Sequence, residues 1–186
     1  LARSWPMRAL HLDTPNGRAH CVDGRWDTWR RRAQMSGMAA LLVLTLPLVA
    51  QTTVYWDTNG RTSGTGTAGG TWDQNSTSNW TTNANGTVNT ATWQNRSGGS
   101  GVATFAAGTN ATGAYTVNVS GTITGVRGLT FQEGTVTLNG CTLTLGGNST
   151  INTNANDASI ASVLAGGYAV TKSGTGTLTL SGASTY

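Results

Sequence analysis

Residues 51–186 carry few side chains able to do acid–base or nucleophilic chemistry. The carboxylates there are Asp57, Asp73, Glu133 and Asp157, and two of them, Asp57 and Asp73, directly follow a tryptophan. A carboxylate pair facing one cleft could hydrolyse a glycoside, but an Asp beside a packed Trp is the ordinary composition of a turn. Both histidines, His11 and His20, precede this stretch, so it holds neither a Ser-His-Asp nor a Cys-His arrangement. Lys172 is the only lysine and lies in a glycine-rich corner, where a structural role is expected rather than partnership with a nucleophilic Ser. Asp57-Thr-Asn59-Gly60 matches only the start of a calcium loop and lacks the later ligands and the position-12 Glu. Gly64-Thr-Gly-Thr-Ala-Gly69 has no Lys after it and no strand–helix setting, so it is not a phosphate loop. Catalytic residues, metal ligands and cofactor-binding residues are therefore all expected to be absent, and the reading is not an enzyme.

The tryptophans are the more distinctive group. Trp56, Trp72, Trp80 and Trp93 fall within forty residues, separated by Gly/Thr/Ser runs with few aliphatics. They can close the end of a repeat array, since terminal repeats are atypical. They can also form a platform on which sugar rings stack against the indole face. The cap is the favoured expectation, and a glycan-contacting surface of Trp56, Trp72, Trp80 and Trp93 is the alternative.

The charge pattern limits the partners. Residues 1–50 hold seven Arg against three Asp, which accounts for the whole net charge of +4, and residues 51–186 are balanced at four cations and four anions. A neutral body with scattered cations cannot supply clustered phosphate contacts, so nucleic acid is excluded as a partner. Cys21 and Cys141 are the only cysteines, and they lie on either side of an expected cleavage point. Cys141 is expected to be a small buried or half-buried filler rather than a reactive thiol.

Four stretches follow from composition. Residues 1–34 show no sustained period and form a leader of uncertain status. Arg30-Arg31-Arg32 followed by the apolar run Met38–Ala50 has the pattern of a secretory signal peptide, with residues 35–50 as its hydrophobic region and Gln51 as the expected mature start. A true translation start at Met35 or Met38 is one expectation; an incomplete N-terminal record is the other. Residues 51–112 are the Trp/Gly/Thr-rich cap segment. Residues 113–186 are strand-rich: Tyr115, Val117 and Val119 alternate, as do Val136/Leu138, Leu143/Leu145 and Leu178/Leu180.

Beyond residue 50 the chain is dominated by Thr and Gly and has no Pro, which suits strands that face water and corners that need glycine. Helix is expected nowhere in 51–186, with Ala155–Leu164 the only candidate. The steps from Val119 to Leu138 and from Leu145 to Leu164 are equal, each about 19 residues and so the size of one small solenoid repeat. Stacked parallel strands with inward aliphatic ladders are expected, and an antiparallel sandwich is the competing all-β solution. Asn139-Gly140 is the one two-residue sequence that could make a hairpin.

The closing stretch Lys172-Ser-Gly-Thr-Gly-Thr-Leu-Thr-Leu-Ser-Gly-Ala-Ser-Thr-Tyr186 resembles the autotransporter-associated β-strand repeat, the passenger-associated transport repeat. The upstream Trp residues, Leu129-Thr-Phe131 and Leu143-Thr-Leu145-Gly146 are similar to the lead-in of such proteins. The resemblance covers roughly residues 52–186, with its specific part in the last fifteen. It implies an all-β fold, a right-handed parallel β-helix (β-solenoid) with a Trp-rich N-terminal cap, incomplete at the C-terminus. It further implies a structural, secreted passenger segment at the bacterial cell surface, a scaffold for display or adhesion. An outer-membrane barrel or surface anchor is expected in a missing C-terminal part, and a glycan or host-surface ligand is a possible partner. No cofactor is expected.

Overall fold

The structure, a computed structural model, describes residues 51–97 and 100–186, together with the backbone of two short strands, β1 (Cys21–Val22) and β2 (Arg25–Trp26). These two pair antiparallel, Cys21 beside Trp26. The signal-peptide reading of residues 35–50 and most of the 1–34 leader lie outside the described residues. Pro47–Tyr186 is one compact unit, with no break at residue 112.

This unit is mostly β. In chain order it holds β3 (Thr52–Trp56), β4 (Gly70–Trp72), β5 (Trp80–Thr81), a five-residue helix α1 (Trp93–Ser97) and β6 (Gly101–Phe105). Next come β7 (Ala114–Val119), β8 (Ile123–Phe131), β9 (Thr135–Gly140) and β10 (Thr142–Asn152). The last are β11 (Ala158–Ile160), β12 (Val163–Ala165), β13 (Val170–Ser173) and β14 (Leu178–Leu180).

The strands form two sheets. One runs β12-β10-β8-β6-β3-β5, with β13 alongside the far part of β10, and the other runs β14-β11-β9-β7-β4. Every neighbouring pair in them is parallel except β3 with β5. Parallel neighbours require a crossover, and here the crossover carries a strand of the other sheet. From β6 to β12 the chain passes to the opposite sheet at every step. Register is set by inward side chains: Val54 sits beside Ala103, Ala103 beside Leu129, and Leu129 beside Ile151. On the other sheet Val117, Leu138 and Ile160 line up in the same way. These residues are all fully or almost fully buried in one core. The period-2 alternation of the sequence thus becomes aliphatic ladders running across the strands.

The spacing differs from the sequence expectation. Val117, not Val119, lies beside Leu138, and Leu143, not Leu145, lies beside Leu164. These two circuits are therefore each two positions longer than the sequence spacing suggests. The first circuit is far longer still: it runs from Thr52 to its neighbour Gly101, and the next runs from Gly101 to Val126. The additional chain builds β5 and α1. The expected absence of helix is corrected at α1, while Ala155–Leu164 forms β11 and β12. Asn139-Gly140 makes no hairpin, because β9 and β10 belong to different sheets and Gly140, at φ 114°, turns the chain from one to the other.

Candidate functional site

The four tryptophans converge. Trp56 ends β3, Trp72 ends β4, Trp80 opens β5 and Trp93 opens α1, and all four are at most 1% exposed. Trp72, Trp80 and Trp93 form a closed triangle, with ring centroids 4.9 to 5.1 Å apart and planes crossed at 62° to 65°. Trp56 meets Trp80 edge-on at 5.1 Å. Phe105 contacts Trp56, Trp72 and Trp80, then stacks on Phe131 at 5.5 Å, which joins the cluster to the aliphatic ladders. Edge-to-face contacts place the positive rim of one ring against the negative face of the next. The glycan-platform alternative is corrected here: Trp56, Trp72, Trp80 and Trp93 turn no ring face to solvent, because they pack on one another. Trp93 Nε1 donates to the carbonyl of Thr124 (2.9 Å), whereas Trp56 Nε1 and Trp72 Nε1 are buried with no acceptor.

The carboxylates hold turns. Asp73 Oδ1 accepts from the backbone N–H of Ser76 (2.6 Å) and Thr77 (2.9 Å), and its Oδ2 accepts from the Thr77 hydroxyl. Desolvation pushes this carboxyl up, but the hydrogen bonds from Thr77, Ser76 and Asn75 together outweigh it and hold its pKa below the ordinary value. Asp57 is fully buried beside the tryptophan cluster, and burial outweighs its bonds from Asn59 and Gly60, raising its pKa. Glu133 Oε2 accepts from the N–H of Ala111 (2.9 Å), and Asp157 Oδ1 from that of Thr177 (2.7 Å), tying neighbouring circuits together. Tyr115 is driven well above its usual pKa, first by burial and then by the charge of Glu133.

Lys172 Nζ donates to the carbonyl of Gly174 (2.9 Å), which bears out a corner role in geometry. Cys141 is exposed, not the buried filler expected. The corner Asn139-Gly140-Cys141 is solvent-facing throughout, so the inward alternation stops at Leu138 and resumes only at Leu143. Among the described residues no group of three or more His, Cys, Asp or Glu could hold a metal ion.

A polar groove of about 280 Å³ crosses the outer face of the larger sheet. Gln51, Arg127, Asn148, Thr150, Asn152 and Ser173 are among the residues that line it. Arg127 is held in place by Nε donating to Ser100 Oγ (2.7 Å) while its carbonyl accepts from Gln51 Nε2 (2.9 Å). Such a surface offers donors and acceptors but no nucleophile with an activating base.

Sequence reasoning missed the part played by Phe105, the groove around Arg127 and the full burial of Asp57. The alternation of Ala103 with Phe105 is a usable signal for the first. The groove has none, since its residues come from separate strands brought together by register. Comparison of the chain with models of protein families, with curated proteins and with solved structures finds no match in any of the three.

Proposed function

We propose that residues 51–186 wind as a right-handed parallel β-helix, capped by the tryptophan cluster, and act as a structural passenger segment of a secreted, autotransporter-like bacterial surface protein. The observation that carries this reading is the repeated parallel register, Val117 on Leu138 in one sheet and Leu143 on Leu164 in the other, with aliphatic ladders inside. Right-handed winding is the hand that crossovers between parallel strands nearly always take. A neutral, Thr-rich exterior over such a core suits an inert spacer that is displayed in water and resists proteases. The resemblance of Lys172–Tyr186 to the passenger repeat and the signal-like stretch at 35–50 agree with export. No catalytic role is assigned, as the segment has no histidine and its carboxylates accept backbone N–H groups within turns and between circuits.

Limited proteolysis of the whole chain, read by N-terminal sequencing and mass, is the test. The expected outcome is a resistant fragment that starts near Gln51 and extends past Leu180. Early cleavage at several sites between residues 113 and 177 would count against a wound scaffold.

A further inference from the structure

Asp57 stands just past β3 with no exposed surface, and its two oxygens have unlike surroundings. Oδ1 accepts from the backbone N–H of Asn59 (2.9 Å) and Gly60 (3.2 Å). Oδ2 is buried and has no donor. Two residues on, Asn59 Oδ1 is also buried with no donor. Buried acceptors are almost always paired, and a carboxylate deprived of water is the costliest kind to leave alone. Two of them in one short turn call for a positive partner.

The loop does not bring a cationic side chain to them. Arg61, the closest in sequence, is exposed, and its Nε donates to Asn89 Oδ1. The oxygens next to the turn include the Thr58 hydroxyl, whose one proton is shared between the carbonyls of Thr65 and Thr67 (2.9 Å each). The turn is also fixed in place. Asp57 N–H donates to the Asn79 carbonyl (3.0 Å), Thr58 N–H to that of Thr65 (2.8 Å), and Thr65 N–H to Asn110 Oδ1 (2.8 Å). A side chain at Gly66 would run into Asn59 and Thr58, so the strand of loop opposite lies directly against the turn.

We propose that the 57–67 loop binds a hard divalent cation of the Ca²⁺ class through Asp57 Oδ2 and Asn59 Oδ1. Oxygen-only donors and a single carboxylate are the chemistry of Ca²⁺, which takes carbonyl, amide and water oxygens in flexible numbers. One carboxylate gives weak binding, with a Kd on the order of 10⁻⁴ to 10⁻³ M, as in extracellular modules. The bound ion would hold the loop beside the tryptophan cluster, so its effect is stabilisation of that end of the fold.

The indole of Trp56, next in sequence to Asp57, makes Tb³⁺ the probe. In the whole chain, indole-sensitised Tb³⁺ emission should saturate and be displaced by millimolar Ca²⁺, and Ca²⁺ should raise Tm relative to chelator. Asp57→Asn keeps an oxygen for the Asn59 and Gly60 N–H groups but removes the charge, so it should abolish both effects. Asn59→Ala should weaken Tb³⁺ binding about tenfold and serves if Asp57→Asn does not fold. Equal Tb³⁺ binding by wild type and variants would place any ion elsewhere and overturn the proposal. Absence of saturable emission would do the same, leaving the oxygen pair to be bridged by a proton or by the Asn59 amide turned to donate.

Discussion

At the scale of single residues, the chain uses its few charges as backbone caps, and Asp73 shows what one is worth. Its folded pKa lies below the ordinary 3.8 because Thr77 and Ser76 donate to it. A carboxyl with a depressed folded pKa stabilises the fold above its unfolded pKa, and the contribution disappears as pH falls through the folded value. Asp73→Asn should therefore cost about 1 kcal/mol at pH 7, a value reduced by its partial exposure, and almost nothing near pH 2. Thermal melts of both proteins from pH 7 down to pH 2 check this, and a cost that does not change with pH would mean that geometry rather than charge holds the turn. Asp57 is the contrasting case: the same residue type after the same tryptophan neighbour, but buried, with one oxygen unpaired. Sequence cannot separate the two, since Trp-Asp reads alike at 56–57 and 72–73, and the difference lies in long-range contacts such as Asp57 N–H on the Asn79 carbonyl and Thr58 N–H on that of Thr65.

At the scale of elements, the strands of 113–186 are legible in the sequence because alternation survives folding: Val117, Val119, Val136, Leu138, Leu143 and Leu145 all point into the core. The corners are less legible. Their residues obey no period, so the spacing of like residues understates the circuit, and Cys141 reads as part of a ladder that it does not join. Nor can β5 or α1 be read, since each is short and formed by packing of one tryptophan rather than by propensity. Corners also set the tolerance to substitution. Gly121 has φ 70° and open space where a Cβ would sit, so Gly121→Ala should cost about 1 kcal/mol of left-handed strain. Gly140 has φ 114° and would drive a Cβ into the Val119 carbonyl, which already accepts from Cys141 N–H at 2.9 Å. Gly140→Ala should cost about 3 kcal/mol or more, through forbidden backbone and a broken bond between circuits. Urea denaturation of the pair measures the difference, and equal costs would remove the close approach of circuits as the reason for glycine there.

At the scale of the whole sheet pair, the two ends of the stack are unlike. At the first end β5 lies antiparallel on β3, and the Asn79 side chain donates to the Thr71 carbonyl on the edge strand β4 (3.1 Å). At the other end β12, β13 and β14 are the outermost strands among the described residues. The cover at this end is thin: Thr185 and Ser184 bond to Leu164 on β12, but Ile160 is buried beside Leu180, which is 37% exposed, and Tyr168 and Tyr186 are 44% and 48% exposed. Unpaired strand edges with apolar side chains are templates for another chain. The chain should therefore self-associate as its concentration rises, which sedimentation velocity over a hundredfold range would detect. Leu180→Lys places a charge at this edge and should shift the protein toward monomer while changing its stability by less than about 0.5 kcal/mol, since the side chain is far from fully buried. Association unchanged by Leu180→Lys would locate the contact elsewhere. A wild-type monomer at every concentration, with one sharp unfolding transition, would show that the ladder's outer edge is stable in water without a partner.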